Sequence, residues 1–287
     1  MQTFSTLIMN GLTLSAMYIL VALGFALLLS IMNIFNFAHG AIYMVGAYIT
    51  EVIIISLGVN NWIALLVSII ITGAFGLFLE RFFFRRLVGN IDGMVMFSIA
   101  LTYILQTTVN LTIGGMQRSI PHFVDAIIKT EYFSFSADRL VTLIIGIVLL
   151  TVIYLFIRYS KIGRQMLAIS QDSIGAALQG ININNTAAIA CVIGCGLAAL
   201  SGSLMGAMLS INPFMGDTIL TKAIEIVILS GIGSTGGILV GGLIIGMVDA
   251  ILPVYFSGAA SSAVGLFIII LILLLRPKGL FGYELRL

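Results

Sequence analysis

Lys222 and Glu225 stand three residues apart inside an apolar stretch, so on a helix they share one face and can pair. Around them lie Ile219, Leu220, Ile224, Ile226, Val227, Ile228 and Leu229. Near the centre of a bilayer each charge costs about 2.5–3.5 kcal/mol, while each such apolar residue returns only about 0.3–0.6 kcal/mol. The sum disfavours lipid exposure, so the polar face must turn toward protein or water. Asp249 and Glu51 pose the same question, to which a solute or proton path and a structural interhelix bond are both answers. His39 is expected as a neutral imidazole that bonds a carbonyl freed at a helix break, with a titrating switch as the alternative.

Several other chemistries are missing from the chain. There is no G-x-x-x-x-G-K-[ST], and the Gly-rich run from Gly231 to Gly237 lacks the lysine of a phosphate loop, so the chain does not hydrolyse ATP by that device. Neither H-E-x-x-H nor G-x-S-x-G occurs, and Phe214 precedes Gly216-Asp217 where an intramembrane aspartyl protease needs Gly. Cys191 and Cys195 lie four apart with no further Cys or His at matching depth, which reads as two buried free thiols and no metal site.

The elements that must hold these residues are membrane spans. The 287 residues are 60% hydrophobic and 8% charged with a mean hydropathy of +1.20, whereas soluble domains carry about 25% charged residues. A net charge of +2 is too mild to suggest nucleic acid. The expected fold is all-α, a polytopic membrane helical bundle forming one domain over 1–287, with broken or re-entrant helices. Met1 to Asn10 holds no Lys or Arg and no small-residue cleavage site follows, so the first apolar run is a span and not a cleaved signal. Apolar windows lie near 5–31, 38–57, 62–80, 93–113, 139–157, 184–210, 218–235, 237–256 and 259–275. Charges interrupt 38–57 and 218–235, giving eight or nine crossings.

Basic residues in short loops stay cytoplasmic. Arg81, Arg85 and Arg86 form one such cluster, Arg158, Lys161 and Arg164 another, and Arg276, Lys278 and Arg286 a third. Segment 114–138 balances Arg118 and Lys129 against Asp125, Glu131 and Asp138, so it faces outward and offers a landing place for an external partner. With nine crossings the N-terminus is outside; with eight it is inside. An internal echo links the halves: Asn36-Phe37-Ala38-His39-Gly40 and Asn212-Pro213-Phe214-Met215-Gly216 each set Asn and Gly four apart between apolar segments. Paired helix breaks of this kind point to substrate pathways in transporters. Asn36, His39, Tyr43, Asn212, Lys222 and Glu225 are therefore the candidates to line a solute path.

Several stretches resemble the LivH-type permeases of bacterial branched-chain amino-acid ABC importers. The N-F-A-H-G…G-A-Y signature is matched at Asn36 to Gly40 and Gly46-Ala47-Tyr48, and the E-R…R element at Glu80-Arg81 and Arg85. The cytoplasmic G-R…D…A-A…G-I segment is matched by Gly163-Arg164, Asp172, Ala176-Ala177 and Gly180-Ile181. Leu229 to Gly237 with Gly241-Gly242, and Leu275-Arg276-Pro277-Lys278-Gly279-Leu280-Phe281-Gly282, complete the resemblance. Ala41 stands where the family often has an acidic residue, and Arg86-Leu87 where it usually has Pro.

The resemblance implies a plasma (inner) membrane permease subunit that is not an enzyme and carries no cofactor. It implies a second homologous permease chain, two ATP-binding subunits that use ATP and Mg, and an extracytoplasmic solute-binding protein, all around a chain embedded in lipid. Within 158–183, Gly163, Arg164, Asp172, Ala176, Ala177 and Gly180 would then couple to the ATPase through an exposed amphipathic helix carrying Met166, Leu167, Ile174 and Leu178. An interfacial loop resting on lipid is the alternative for this segment. For the whole chain the alternatives are a self-sufficient secondary transporter or a channel using intramembrane carboxylates.

Overall fold

The computed structural model describes residues 2–33, 35–124, 126–129, 134–231, 233–256, 258–276 and 279–281. Asp125, Glu131, Lys278 and Arg286, along with the Pro277 and Gly282 positions of the C-terminal match, lie outside the described residues. In chain order come α1 (Gln2–Met32), α2 (His39–Leu57), α3 (Asn61–Leu79), a π-turn (Glu80–Phe84), α4 (Arg85–Leu87) and α5 (Ile91–Thr112). A short antiparallel hairpin of β1 (Ile127–Lys129) and β2 (Ser134–Ser136) leads to α6 (Ala137–Tyr159), α7 (Lys161–Gln171) and α8 (Ser173–Leu178). The chain continues as α9 (Ile183–Met208), α10 (Met215–Ser230), α11 (Thr235–Tyr255) and α12 (Gly258–Leu275).

Polar side chains placed between the apolar runs set many of these starts. Asn60, Asn90, Asn182 and Ser234 each accept a backbone N–H from the first turn of α3, α5, α9 and α11, meeting donors that would otherwise be left bare. All nine apolar windows are helices, and 7 helices among the described residues are long and apolar enough to cross a membrane. Window 38–57 is one of the 7, its interrupting Glu51 being buried. The two that fall short are 218–235, where α10 has only 16 residues, about 24 Å at 1.5 Å per residue against a core about 30 Å thick, and 259–275, where only the shorter apolar stretch Ala263–Ile272 counts among the described residues.

One end of the bundle is basic. An Arg85 Nη2 donates to the Asn184 carbonyl at 3.4 Å, bringing the end of α3 to the start of α9, and α7 packs on both α1 and α9 there. At the opposite end the Asn61 amide donates to the Pro121 and His122 carbonyls, and Arg139 donates to Asn10 of α1. The first helix thus starts on the side of segment 114–138.

The core is built by exchange between two halves. Helix α1 packs on α11 as α9 packs on α3, and α2 packs on α9 as α10 packs on α1. Across the middle α1 meets α9 and α2 meets α10, the pattern of a two-fold axis relating α1–α3 to α9–α11. Glycines mark that axis. A Cβ on Gly24 would lie 2.8 Å from the Gly194 carbonyl oxygen, and one on Gly194 2.9 Å from that of Gly24. Gly40 and Gly216 make the same reciprocal contact more tightly, each against the other's carbonyl, so only a residue without Cβ fits either place.

Candidate functional site

The two broken-helix motifs adopt one local geometry and meet at the axis. Asn36 Oδ1 accepts the Ala38 N–H at 3.1 Å and Asn212 Oδ1 the Phe214 N–H at 2.9 Å. The Asn36 carbonyl accepts from His39 N at 3.1 Å, and that of Asn212 from Met215 N at 3.2 Å. Both Asn side chains thus hold an Asx turn that starts a helix inside the membrane. The fully buried His39 ring lies with Nε2 3.3 Å from the Val21 carbonyl. Since Val21 precedes the end of α1 at Met32 by about 16 Å of helix rise, α2 begins well inside the bilayer. The bond to a main-chain oxygen is the one expected of a neutral imidazole at a break. The carbonyl it meets, however, belongs to α1 and not to the break itself.

Asn212 and Tyr43 face a cavity of about 220 Å³ that Tyr18, Met205, Met215 and Thr218 also line. Asn36 and His39 are not among its lining residues. Segment 114–124 lies over the non-helical stretch after α9: Arg118 and Ile211 exchange backbone hydrogen bonds at 3.0 and 2.8 Å, and Ile120 N donates to the Gly206 carbonyl. Arg118 also reaches Glu51, 1% exposed, at 3.0 Å. Glu51 is thereby a structural tie between α2 and this segment.

Lys222 and Glu225 do approach each other, Nζ to Oε2, at 3.3 Å, but the shorter contact of Lys222 is to Asp249 Oδ1 at 3.0 Å. The expected pair is a triad spanning α10 and α11. Asp249 Oδ2 in turn accepts a hydrogen bond from the Tyr18 hydroxyl at 3.2 Å. Glu225 Oε2 is buried and receives no hydrogen bond from the described residues. Burial of Lys222 and Glu225, each 6% exposed, agrees with the insertion arithmetic. Sequence spacing showed the Lys222–Glu225 face and composition singled out Asp249 as an intramembrane charge; the Tyr18 contribution and the joining of all four depend on packing among α1, α10 and α11, for which the sequence signal was a hydroxyl-bearing aromatic in the middle of the first span.

At the basic end, segment 158–183 departs from the expected single amphipathic helix. Asp172 interrupts it, its side chain accepting the Ile174 and Gly175 N–H groups at 3.0 and 2.9 Å to start α8. Met166, 2% exposed, and half-buried Leu167 pack inward, while Ile174 and Leu178 are 74% and 84% exposed. Helix α7 is therefore the anchor and α8 the presented surface. Gly163 is pressed against the Phe156 carbonyl and the Ile157 backbone, and Ala176 is buried. Arg164, Asp172, Ala177 and Gly180 are exposed. Gly180 has φ 82° and an open surround, so it serves as a helix end and not as a point of close approach.

The branched-chain amino acid transport system permease component model matches residues 7–275. The chain is 34% identical over 288 residues to the high-affinity branched-chain amino acid transport permease LivH of Salmonella typhimurium, covering 95% of this chain and 94% of that protein. It is 33% identical to LivH of Escherichia coli K12 over the same shares, and 33% identical to BraD of Pseudomonas aeruginosa, covering 96% of this chain and 94% of BraD. The chain belongs to this permease family. As a member it is a multi-pass inner-membrane transport component and not an enzyme. No solved structure matches it.

Proposed function

We propose that the chain forms half of the translocation unit of an ATP-driven importer for branched-chain amino acids or closely related small polar solutes. The observation that carries this reading is near-complete alignment with LivH proteins at 33–34% identity, on a fold whose two broken helices meet at its centre. A second homologous permease chain would complete the pathway. Two ATP-binding subunits, using ATP and Mg, would dock at the basic end, and a solute-binding protein would dock over segment 114–138.

The geometry supports a division of labour. Exposed Ile174 and Leu178 on α8 give an apolar knob suited to a groove, while α7 fastens that knob through Met166 and Ile169 to the buried cluster that includes Leu27 and Ile31 of α1. Movement of an ATP-binding subunit against α8 would thus be delivered to α1, whose Tyr18 lines the central cavity. The Gly-lined contacts of α1 with α9 and of α2 with α10 present few side chains to interlock, so the halves have smooth surfaces along which to rock.

The test is uptake of labelled L-leucine into proteoliposomes containing the chain with a candidate second permease chain, ATP-binding subunits and solute-binding protein from the same organism. Uptake that needs ATP and all partners is the expected result. Accumulation by this chain alone, driven by a proton gradient, would replace the reading with a secondary transporter; passive flux would replace it with a channel.

A further inference from the structure

The cavity near the start of α10 is bounded on its inner wall by Tyr18, whose hydroxyl belongs to a polar chain. Lys222 donates to Asp249 Oδ1 at 3.0 Å, and the Tyr18 hydroxyl donates to Asp249 Oδ2 at 3.2 Å. A phenol has one hydrogen, so once it is given to Asp249 only lone pairs remain for a ligand. Tyr18 is thereby held as an acceptor. The cluster behind it contains two carboxylates, Asp249 and Glu225, against the single ammonium of Lys222. Lys222 lies within 3.3 Å of both acids, so its single positive charge is shared between them and leaves no unpaired cation to repel an incoming ammonium.

The other walls are of a different kind. Met205, Met215 and Ile219 supply apolar surface, and Asn212 and Thr218 polar groups. At about 220 Å³ the space is smaller than the roughly 300–1,000 Å³ of drug-sized pockets, a scale suited to one small solute. A fixed acceptor on one wall, the polar groups of Asn212 and Thr218, and flexible thioether and branched walls complement a zwitterion whose ammonium meets the acceptor, whose carboxylate meets Asn212 and Thr218, and whose side chain is short and apolar.

We propose that this cavity holds the solute in transit, with the ammonium of an aliphatic amino acid on the Tyr18 hydroxyl and its side chain against Met205, Met215 and Ile219. The assignment rests on the importer reading above. Asp249 and Lys222 act as positioning residues, fixing which way the Tyr18 hydrogen points.

The experiment uses the complete reconstituted importer, with leucine delivered by its binding protein, and records leucine transported per ATP hydrolysed. Tyr18→Phe keeps the ring and removes the acceptor, and should lower that ratio roughly tenfold, the size expected for one hydrogen bond to a charged group. Thr218→Trp fills the cavity from its exposed rim and should abolish uptake, whereas Ile70→Trp, which puts the same indole on the exposed face of α3, should not. An unchanged ratio in Tyr18→Phe, or wild-type uptake in Thr218→Trp, overturns the assignment. So does a Tyr18→Phe complex in which uptake, ATP hydrolysis and assembly fall in step, since that is the mark of a packing residue. A wild-type complex that accumulates no leucine would overturn the importer reading itself, a result distinct from all of these.

Discussion

The two halves of the bundle share a frame and differ in what they do with it. Each has a long helix, a break held by an Asn side chain, and a helix that restarts inside the membrane, with Gly40 and Gly216 in reciprocal contact at the centre. In the first half α2 is held by His39 on the Val21 carbonyl, by Thr50, Ser68 and Ser203 hydroxyls gathered on the Gly46 carbonyl, and toward its C-terminal end by the buried Glu51 paired with Arg118. In the second half α10 carries Lys222 and Glu225, closes on Asp249, and borders the cavity. Symmetry is thus a property of the small residues, and the charged contacts differ between the halves, one carboxylate bound to a loop arginine in the first and a triad between two helices in the second. The comparison teaches that the glycine frame sets where the helices meet, while the charges differ in what they tie together: α2 to segment 114–124 in one half and α10 to α11 in the other, with Tyr18 and Tyr43 of the first half and Asn212 and Thr218 of the second sharing the cavity.

The strongest way to break that picture is at its shared part. Gly40→Leu and Gly216→Leu each thrust a side chain into the other helix's backbone, and both should cost more than about 4 kcal/mol, leaving little monodisperse protein after detergent extraction. Equal losses at the two sites are expected. A variant tolerated at one site only would show that the contact is not reciprocal in its energetics.

Next in size is the asymmetric part. Asp249→Asn takes from Lys222 its nearer partner and should destabilise the membrane-embedded protein by about 3 kcal/mol in a thermal or denaturant titration. Glu225→Gln should cost about 1 kcal/mol, because Lys222 keeps Asp249 and the Glu225 contact is not a hydrogen bond. Reversal of that order would return the central role to the Lys222–Glu225 pair. Adding Lys222→Met to Asp249→Asn should recover part of the loss, the sign of direct coupling.

Much of this was legible in the residues. The Asn-Gly echo located both breaks, the cost of burying charge placed Lys222 and Glu225 away from lipid, and the lone imidazole at a break was assigned a carbonyl. What escaped depends on distant pairs. Tyr18 and Asp249 are 231 positions apart, and Arg118 and Glu51 are 67 apart, distances at which periodicity carries no information. Segment 158–183 misled for a local reason: its apolar spacing suits one continuous helix, but the Asp172 side chain competes for backbone donors and starts a second.

That segment joins the halves and sharpens the comparison, since it packs chiefly on α1, α6 and α9. Gly180→Ala forces a Cβ onto a residue with φ 82° and should destabilise the end of α8 by about 1 kcal/mol, a shift visible in local hydrogen exchange. Solute-stimulated ATP hydrolysis should fall as well, because the exposed Ile174–Leu178 knob loses its fixed orientation. Stimulation at the wild-type level would assign α8 to the lipid surface.

The smallest expected effect tests the hydroxyls gathered on Gly46. Thr50 Oγ1 lies 2.7 Å from Ser203 Oγ, and both reach the Gly46 carbonyl, Ser203 at 3.2 Å and Thr50 at 3.1 Å, with Ser68 closest at 2.7 Å. A carbonyl oxygen has two lone pairs, and this one already accepts the Thr50 N–H of its own helix turn, so three hydroxyls are more than it can fully satisfy. Ser203 has another outlet, the Ala199 carbonyl of its own helix at 2.8 Å. Removing its hydroxyl therefore leaves Gly46 served by Ser68 and Thr50, and strands no buried group. Ser203→Ala should cost about 0.6 kcal/mol, the average for an interhelical hydrogen bond in a membrane protein. Ser68→Ala should cost more, up to about 1.7 kcal/mol, because it carries the shortest bond and the only one from α3. A larger loss for Ser203 than for Ser68 would make the α2–α9 contact, and not the tie to α3, the part of the first half that holds α2 still.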